Sequence, residues 1–247
     1  MNELILLFLK HKTYSRSDIE KIGNAIIYLA ERIPDLSKTK LLKLLYLLEE
    51  TFAKKYQLPF LNLEFEVWQA GPVARDIFID LSDEPILLKD YITIEKKADS
   101  TYIKPITGFS DDEFSDNEID MLNLVVEHFG SLTATDLVKR THQKNSNWYT
   151  IAKSKGLLDL FENRLTNSSD EKIDLTWYLD EKAKKPLWNK ITSISYSAIL
   201  TIKDVYARKY FVFHSFLFSQ WRKGKKQIFY CSGNESGKHL NCNTPYQ

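Results

Sequence analysis

The stretch LSKTKLLKLLYLLEETFAKKYQLPFLNLEFEVWQAGPVARDIF, residues 36–78, decides the fold. Its first half carries apolar residues with few polar gaps, namely Leu41, Leu42, Leu44, Leu45, Leu47, Leu48 and Phe52. A helix that is apolar around most of its circumference has to be covered on most sides. The segment therefore predicts a buried central helix, which Leu58 and Pro59 end before a short extended segment.

The letters WQAGPV, residues 68–73, predict a turn after that extended segment. Gly71 and Pro72 are strong turn formers, and Pro72 suits the first position of a helix because no backbone N–H is needed there. We therefore expect a turn that opens the next helix, with Pro72 suited to a first helical position, and a helix after Val73 that runs to about Leu81. The whole stretch is predicted to be a helix–turn–helix core element, and it contains no catalytic signature.

Two further patterns indicate a helical chain with a small β element. Ser17 and Asp18 can cap a helix that ends before Pro34. Segments 90–94 and 102–106 alternate β-branched or aromatic residues with polar ones, which predicts a hairpin. The expected fold is mainly α: a single helical domain with a small β-hairpin element and a C-terminal appendage.

The middle of the chain contains helix signals in close succession. Ser115 and Glu118 have the spacing of a capping box, and Gly130 is placed to end the helix that they start. Further helices are predicted at 133–142 and 147–156. The acid pairs of the chain, including Glu49 with Glu50, are predicted to be solvated.

Two motifs resemble the Panacea domain, the SocA-like antitoxin family. The first is F-x-x-W-x-x-G-P-V at residues 65–73, between two predicted helices. The second is residues 115–152, SDNEIDMLNLVVEHFGSLTATDLVKRTHQKNSNWYTIA, which are similar to the family pattern E-x-x-x-L…G-x-L-(S/T)-A-x-x-L…T-H…P-W. Asn147 stands where the family often has Pro. The resemblance covers roughly residues 18–155 and implies a helical toxin-neutralising module without catalytic residues.

Composition indicates a globular cytoplasmic protein. The chain has 247 residues, of which 43% are apolar and 27% charged, and this balance excludes a disordered chain. No window offers ~18 consecutive apolar residues, so no membrane span is expected. Two cysteines, Cys231 and Cys242, give no disulfide framework.

Charge is distributed unevenly along the chain. The first 204 residues hold 27 basic and 32 acidic side chains, whereas the last 43 hold seven basic side chains and one acidic one. Ten of those last 43 residues are aromatic, which is unlike a solvated linker. We therefore predict a helical domain over 1–180 and a basic, aromatic appendage over 181–247.

No pattern of catalytic or metal-binding residues stands out, so the protein is predicted not to be an enzyme. His142 is the best catalytic candidate, but no Ser or Cys on a strained turn accompanies it, and a helix-ending role fits better. Cys231, His239 and Cys242 lack the fourth ligand and the close cysteine pair of a structural zinc site. No glycine-rich phosphate loop is present. We expect no metal and no cofactor.

DNA binding is the alternative function. The predicted helices between residues 130 and 160 resemble a helix-turn-helix module, with basic side chains at Lys139, Arg140, Lys144 and Lys153. Such cations could contact phosphates in a salt-sensitive manner. The acidic remainder of the domain would oppose DNA binding. A helix-turn-helix transcriptional regulator therefore stays the second hypothesis.

The resemblance implies an antitoxin that neutralises a cognate toxin by direct binding, with delivery of the toxin to a protease as a variant. Partner contacts are predicted at Trp68, Gln69, Arg75, His142 and Trp148. Trp68 also fits a packing role over the apolar helix. Aromatic and arginine side chains commonly dominate the binding energy of protein interfaces.

Overall fold

A computed structural model describes residues 12–98 and 100–179, and the predicted appendage at 181–247 lies outside them. The described part is mainly α, as predicted, with seven α-helices and two small antiparallel sheets. The helices are α1 (Arg16–Arg32), α2 (Lys38–Tyr56), α3 (Arg75–Asp80), α4 (Asp116–Phe129), α5 (Ala134–Thr141), α6 (Asn147–Ser154) and α7 (Leu157–Glu162). The strands are β1 (Phe65–Trp68), β2 (Gly71–Val73), β3 (Ile92–Lys97), β4 (Ser100–Pro105) and β5 (Lys172–Ile173). A short 3₁₀ helix, Leu175–Tyr178, follows β5.

Helix α2 forms the centre of the core, which confirms the prediction from its leucines. All its residues from Leu41 to Glu49 are buried, so this stretch of the helix is covered on every side. Ser37 caps the start, where its hydroxyl accepts the N–H of Lys40 at 3.3 Å. Gln57 ends the helix in the left-handed conformation. None of the described helices is long and apolar enough to cross a membrane.

Helix α1 begins earlier than the sequence suggested. Ser15, not Ser17, is the cap, and Asp18 occupies the third position of the helix. The Ser15 hydroxyl accepts the N–H of Asp18 at 3.1 Å, and the Asp18 carboxylate accepts the N–H of Ser15 at 2.8 Å. This reciprocal pair is a capping box, and it satisfies two N–H groups at once. The prediction missed it because Ser15 and Ser17 are equally good caps by residue type.

The WQAGPV turn, defined as residues 68–73, forms a β-hairpin, so the prediction that Pro72 takes the first position of a helix was wrong. The helix predicted after Val73 is present as α3. Trp68 pairs with Gly71, and Val67 pairs with Pro72. Gly71 has a φ of +98°, which turns the chain back along β1 before α3 can start. Among the described strands, β2 pairs only with β1 and lies at the edge of the sheet, a position where proline is tolerated.

Strand β5 completes this sheet in the order β2-β1-β5, with Phe65 opposite Ile173. The second sheet is the β3–β4 hairpin, which confirms the predicted β-hairpin element. It is joined to the start of α2, because Ile103 donates its N–H to the carbonyl of Leu36 at 2.9 Å. Both sheets therefore meet the central helix, and the WQAGPV turn lies between α2 and the later helices.

Candidate functional site

Side chains from three helices and a loop bind the carbonyls of residues 67–72. Lys43 of α2 donates to Pro72 O at 2.7 Å, and His142 at the end of α5 places Nε2 3.0 Å from Gln69 O. Trp148 of α6 donates its indole N–H to Trp68 O at 2.9 Å, and Ser169 donates to Val67 O at 2.6 Å. The turn is thus the point at which distant parts of the described chain meet.

His142 uses both ring nitrogens within the fold. Its Nδ1 lies 2.5 Å from the carbonyl oxygen of Val138, one turn earlier in α5, and its Nε2 faces Gln69 O. The ring centroid is 3.8 Å from that of Trp148. His142 was predicted to end a helix, and it is the C-cap of α5. Both ring nitrogens thus lie within hydrogen-bond distance of main-chain carbonyl oxygens.

Gln69 and Trp148 are held by internal contacts as well. Gln69 donates its side-chain amide to Phe161 O at 2.7 Å and its backbone N–H to Asn167 O at 2.9 Å. Trp148 is only 3% exposed. The structure therefore brings Trp68, Gln69, His142 and Trp148 together, and the side chains of the last three join the turn to later segments. Their role in partner binding stays a prediction.

The side chains of Trp68 and Arg75 do not join the turn to later segments of the chain. The indole of Trp68 donates to the Glu66 carboxylate at 3.0 Å, and its half-buried ring meets the edge of Phe78 with centroids 4.8 Å apart. Arg75 is the first residue of α3, and its side chain forms no hydrogen bond or ion pair with another described residue. Both side chains lie where an approaching partner could contact them.

Lys43 was not singled out from the sequence, although it is the polar residue inside the run of leucines. It is 1% exposed, and no carboxylate within the described part of the chain pairs with it. Burial lowers its pKa to about 7. Gly71 makes this close packing possible, because a Cβ there would lie 2.7 Å from Thr141 Oγ1 and 3.3 Å from Lys43 Cε.

Glu49 corrects the prediction that the acid pairs are solvated, since it is 1% exposed. Its carboxylate accepts three backbone N–H groups, from Phe60 at 2.8 Å, Leu61 at 2.7 Å and Leu63 at 3.0 Å. Burial raises the pKa of Glu49, and these donors oppose that rise. The residue fixes the loop that leads into β1, so its role is structural.

The described residues offer no cluster of three His, Cys, Asp or Glu side chains able to hold a metal ion. The sequence candidates Cys231, His239 and Cys242 lie outside 12–98 and 100–179. A cleft of about 230 Å³ beside Glu49 is lined by Lys12 and Lys172 as well. Lys172 pairs with Glu66 at 2.9 Å and with Glu64 at 3.5 Å.

The four cations proposed for DNA binding are distributed over α5, the following loop and α6. Lys139 pairs with Asp136 at 3.5 Å, and the Arg140 guanidinium lies 5.2 Å from the centre of the Phe129 ring. Lys144 and Lys153 are exposed. Two of the four cations thus have partners within the fold, and DNA binding stays a prediction.

Comparison with known families identifies the segment around the turn. Residues 41–149 match the family model described as antitoxin SocA-like, Panacea domain, which confirms the resemblance drawn from the two motifs. The matched span begins in α2 and ends in α6, so it contains the WQAGPV turn with Lys43, His142 and Trp148. Neither a curated protein nor a solved structure matches the chain.

Proposed function

Because residues 41–149 match the family model described as antitoxin SocA-like, Panacea domain, we propose that this protein is an antitoxin that neutralises a cognate toxin by direct contact. The family match is the observation that carries the proposal. We expect the complex to form in the cytoplasm and to bury ~1,600 Å² of total surface, the usual size of a specific stable interface.

The contacts of the WQAGPV turn support a binding role in preference to catalysis. Lys43, His142 and Trp148 all use their polar atoms on main-chain carbonyls. A catalytic acid or base needs a nitrogen or oxygen within reach of a substrate proton, and these groups are committed to the fold. Their arrangement gives a preorganised frame, which lowers the entropy lost when a partner binds.

Co-expression tests the proposal. The open reading frame adjacent to this gene is expressed alone and together with the protein, with an inactive reading frame carrying an early stop codon as the control. We expect the neighbour to stop growth alone, growth to be restored by co-expression, and the two purified proteins to co-elute. Absence of rescue together with failure to co-elute would remove the antitoxin assignment.

Delivery of the toxin to a protease is a distinct form of the same proposal. The two forms differ in the fate of the toxin, which can be followed by its half-life after synthesis is blocked. Neutralisation by contact alone leaves the amount of toxin unchanged while growth recovers. A toxin half-life that shortens when the antitoxin is present indicates an adaptor.

A further inference from the structure

The two ring nitrogens of His142 each face an oxygen that can only accept a hydrogen bond. Nδ1 lies 2.5 Å from Val138 O, and Nε2 lies 3.0 Å from Gln69 O. Each nitrogen therefore needs its own hydrogen to make a favourable contact. A neutral imidazole carries one N–H group, whereas the imidazolium form carries two. Only the charged form of His142 satisfies both carbonyls.

His128 provides a comparison within the same chain. Its Nδ1 lies 2.9 Å from Leu124 O, four residues earlier in α4, which is the spacing that also separates His142 from Val138. Its Nε2 has no hydrogen-bond partner among the described residues. One N–H group is enough for His128, so its contacts do not require the ring to be charged.

Lys43 lies beside His142 and can give up its own charge. A Cβ at Gly71 would be 3.3 Å from both Lys43 Cε and His142 Cε1, so these two atoms lie within twice that distance of each other. Burial lowers the pKa of Lys43 to about 7, and the neutral amine can still donate to Pro72 O. A proton on His142 makes a second hydrogen bond possible, whereas an extra proton on Lys43 finds no further acceptor among the described residues.

The other elements around His142 bring no carboxylate or cation that is left to act on the ring. The turn, residues 68–73, holds no titratable side chain, and Trp148 of α6 brings an aromatic ring whose centroid is 3.8 Å from the imidazole. An aromatic ring at this distance favours a cation. The charged side chains with contacts elsewhere are Lys40 of α2 at Gly130 O, Glu66 of β1 at Lys172 and Trp68, Lys139 of α5 at Asp136, and Arg140 of α5 at the Phe129 ring.

We propose that His142 is a pH-dependent switch that binds α5 to the WQAGPV turn in its imidazolium form and loosens this attachment when it loses a proton. After that loss, one nitrogen turns a lone pair towards a carbonyl oxygen, and the two atoms repel each other. The Val138 contact lies within one turn of α5, so the contact that gives way is the one to Gln69, which spans the fold. The switch is a property of the fold and does not depend on the antitoxin assignment.

Side-chain ¹⁵N NMR of the full chain tests the charge of His142 directly. The two ring nitrogens have similar chemical shifts in the imidazolium form and very different shifts in a neutral tautomer. The signals are assigned by through-bond correlation to the backbone, and His128 is the control. We expect His142 to carry both hydrogens at pH 7 and to lose one at a midpoint at least about one pH unit above that of His128.

The response of the turn is measured in the same titration. We expect the backbone amide of Gly71 and the indole N–H of Trp148 to shift with the midpoint of His142, and the amide of Gly156, on the loop before α7, to stay unchanged. The transition at the His142 midpoint should be absent from His142→Gln, which separates it from the titration of Lys43.

Urea unfolding gives an independent measurement of the same attachment. A group that holds its proton more tightly in the folded chain stabilises the fold at low pH, and this contribution is lost as the pH rises through its folded midpoint. His142→Gln should therefore lose more stability at pH 6 than at pH 9. The matched control His128→Gln should lose the same amount at both.

Three results would contradict the proposal, each in a different part. A neutral His142 at pH 7, or a midpoint equal to that of His128, overturns the switch altogether. A charged His142 whose titration leaves the Gly71 amide unmoved overturns the coupling to the turn, as does an equal stability loss for His142→Gln at pH 6 and pH 9. If His142→Gln does not fold, the titration of the unmodified protein still decides between a charged and a neutral ring.

Discussion

Lys43 is buried against a main-chain carbonyl, and the stability of the fold therefore depends on whether this lysine is charged. Lys43 donates to Pro72 O inside the apolar surroundings of α2, without a carboxylate from the described residues to balance its charge. Burying an uncompensated ammonium group is costly, and the protein reduces that cost when the group loses its proton. The lowered pKa of about 7 expresses this preference for the neutral form.

Lys43 should therefore make stability rise with pH. Between about pH 7 and its ordinary pKa of 10.5, the unfolded chain holds a proton that the folded chain has released. Raising the pH through this window increases the free energy of unfolding, on the order of 1.4 kcal/mol for each unit. We expect Lys43→Met to reduce this slope, measured by urea unfolding at pH 7, 8 and 9.

Lys144→Met, at an exposed site, is the control for this measurement and should leave the slope unchanged. A slope in Lys43→Met that equals the slope of the unmodified protein would show that another group produces it. Below pH 7 the contribution of Lys43 is expected to level off, because both states then carry the proton.

Gly71 allows a second test at the residue scale. In Gly71→Ala the new Cβ would meet Thr141 Oγ1 at 2.7 Å at a φ of +98°, so both crowding and backbone strain act. We expect a loss of about 3 kcal/mol or more in the free energy of unfolding. Gly156→Ala is the matched control, because its φ is +67° but no atom lies within 4 Å of the new Cβ.

The control should lose only about 1 to 2 kcal/mol, the cost of the left-handed conformation alone. Chemical denaturation of the two variants at one pH gives the comparison. Equal losses at the two glycines would contradict the packing assigned to the WQAGPV turn.

At the scale of elements, the sequence predicted those helices and strands that are determined by residues close together along the chain. The leucine run gave the buried α2, and Ser115 with Glu118 gave the start of α4, where the Glu118 carboxylate accepts the N–H of Ser115 at 2.8 Å. The alternation around 90–106 gave the β3–β4 hairpin. In each case the residues that form the element are neighbours along the chain.

Elements that depend on distant residues could not be predicted in the same way. Strand β5 is two residues long and exists because Ile173 pairs with Phe65, more than a hundred positions away. The hairpin at Gly71 was mistaken for a helix start because Gly-Pro suits either. The candidate site was also only partly predictable. Residue type indicated His142 and Trp148, whereas only the fold shows that Lys43 contacts the same turn.

A substitution at Trp148 tests how α6 is joined to β1. Trp148→Phe keeps most of the ring but removes the N–H that reaches Trp68 O, so we expect a loss of about 1 to 3 kcal/mol in stability. Trp177→Phe, at a residue that is 59% exposed, should change stability by less than about 0.5 kcal/mol. Denaturant midpoints provide the measurement, and an unaffected Trp148→Phe would argue against this attachment.

At the scale of the whole molecule, the charge distribution bears on the DNA hypothesis. The first 204 residues carry a balance of −5, and two of the four proposed cations already have partners. We expect only weak binding to a duplex from upstream of the gene, no tighter than roughly micromolar at physiological salt. Fluorescence anisotropy at two salt concentrations, with a scrambled duplex as control, measures this.

The double variant Lys139→Ala with Arg140→Ala should leave that weak binding nearly unchanged. Tight binding to the upstream duplex alone, with a salt dependence that falls in the double variant, would instead establish a DNA-binding regulator.

The return of the chain to β1 has a practical consequence for preparing the protein. The family match ends at residue 149, but Asn167, Ser169 and Ile173 cover the outer edge of β1. A fragment trimmed to the matched span would expose unsatisfied N–H and carbonyl groups along that strand, which invites aggregation through edge pairing. A minimal soluble preparation has to retain the chain through residue 179, and the borders of sequence similarity are a poor guide to where it can be cut.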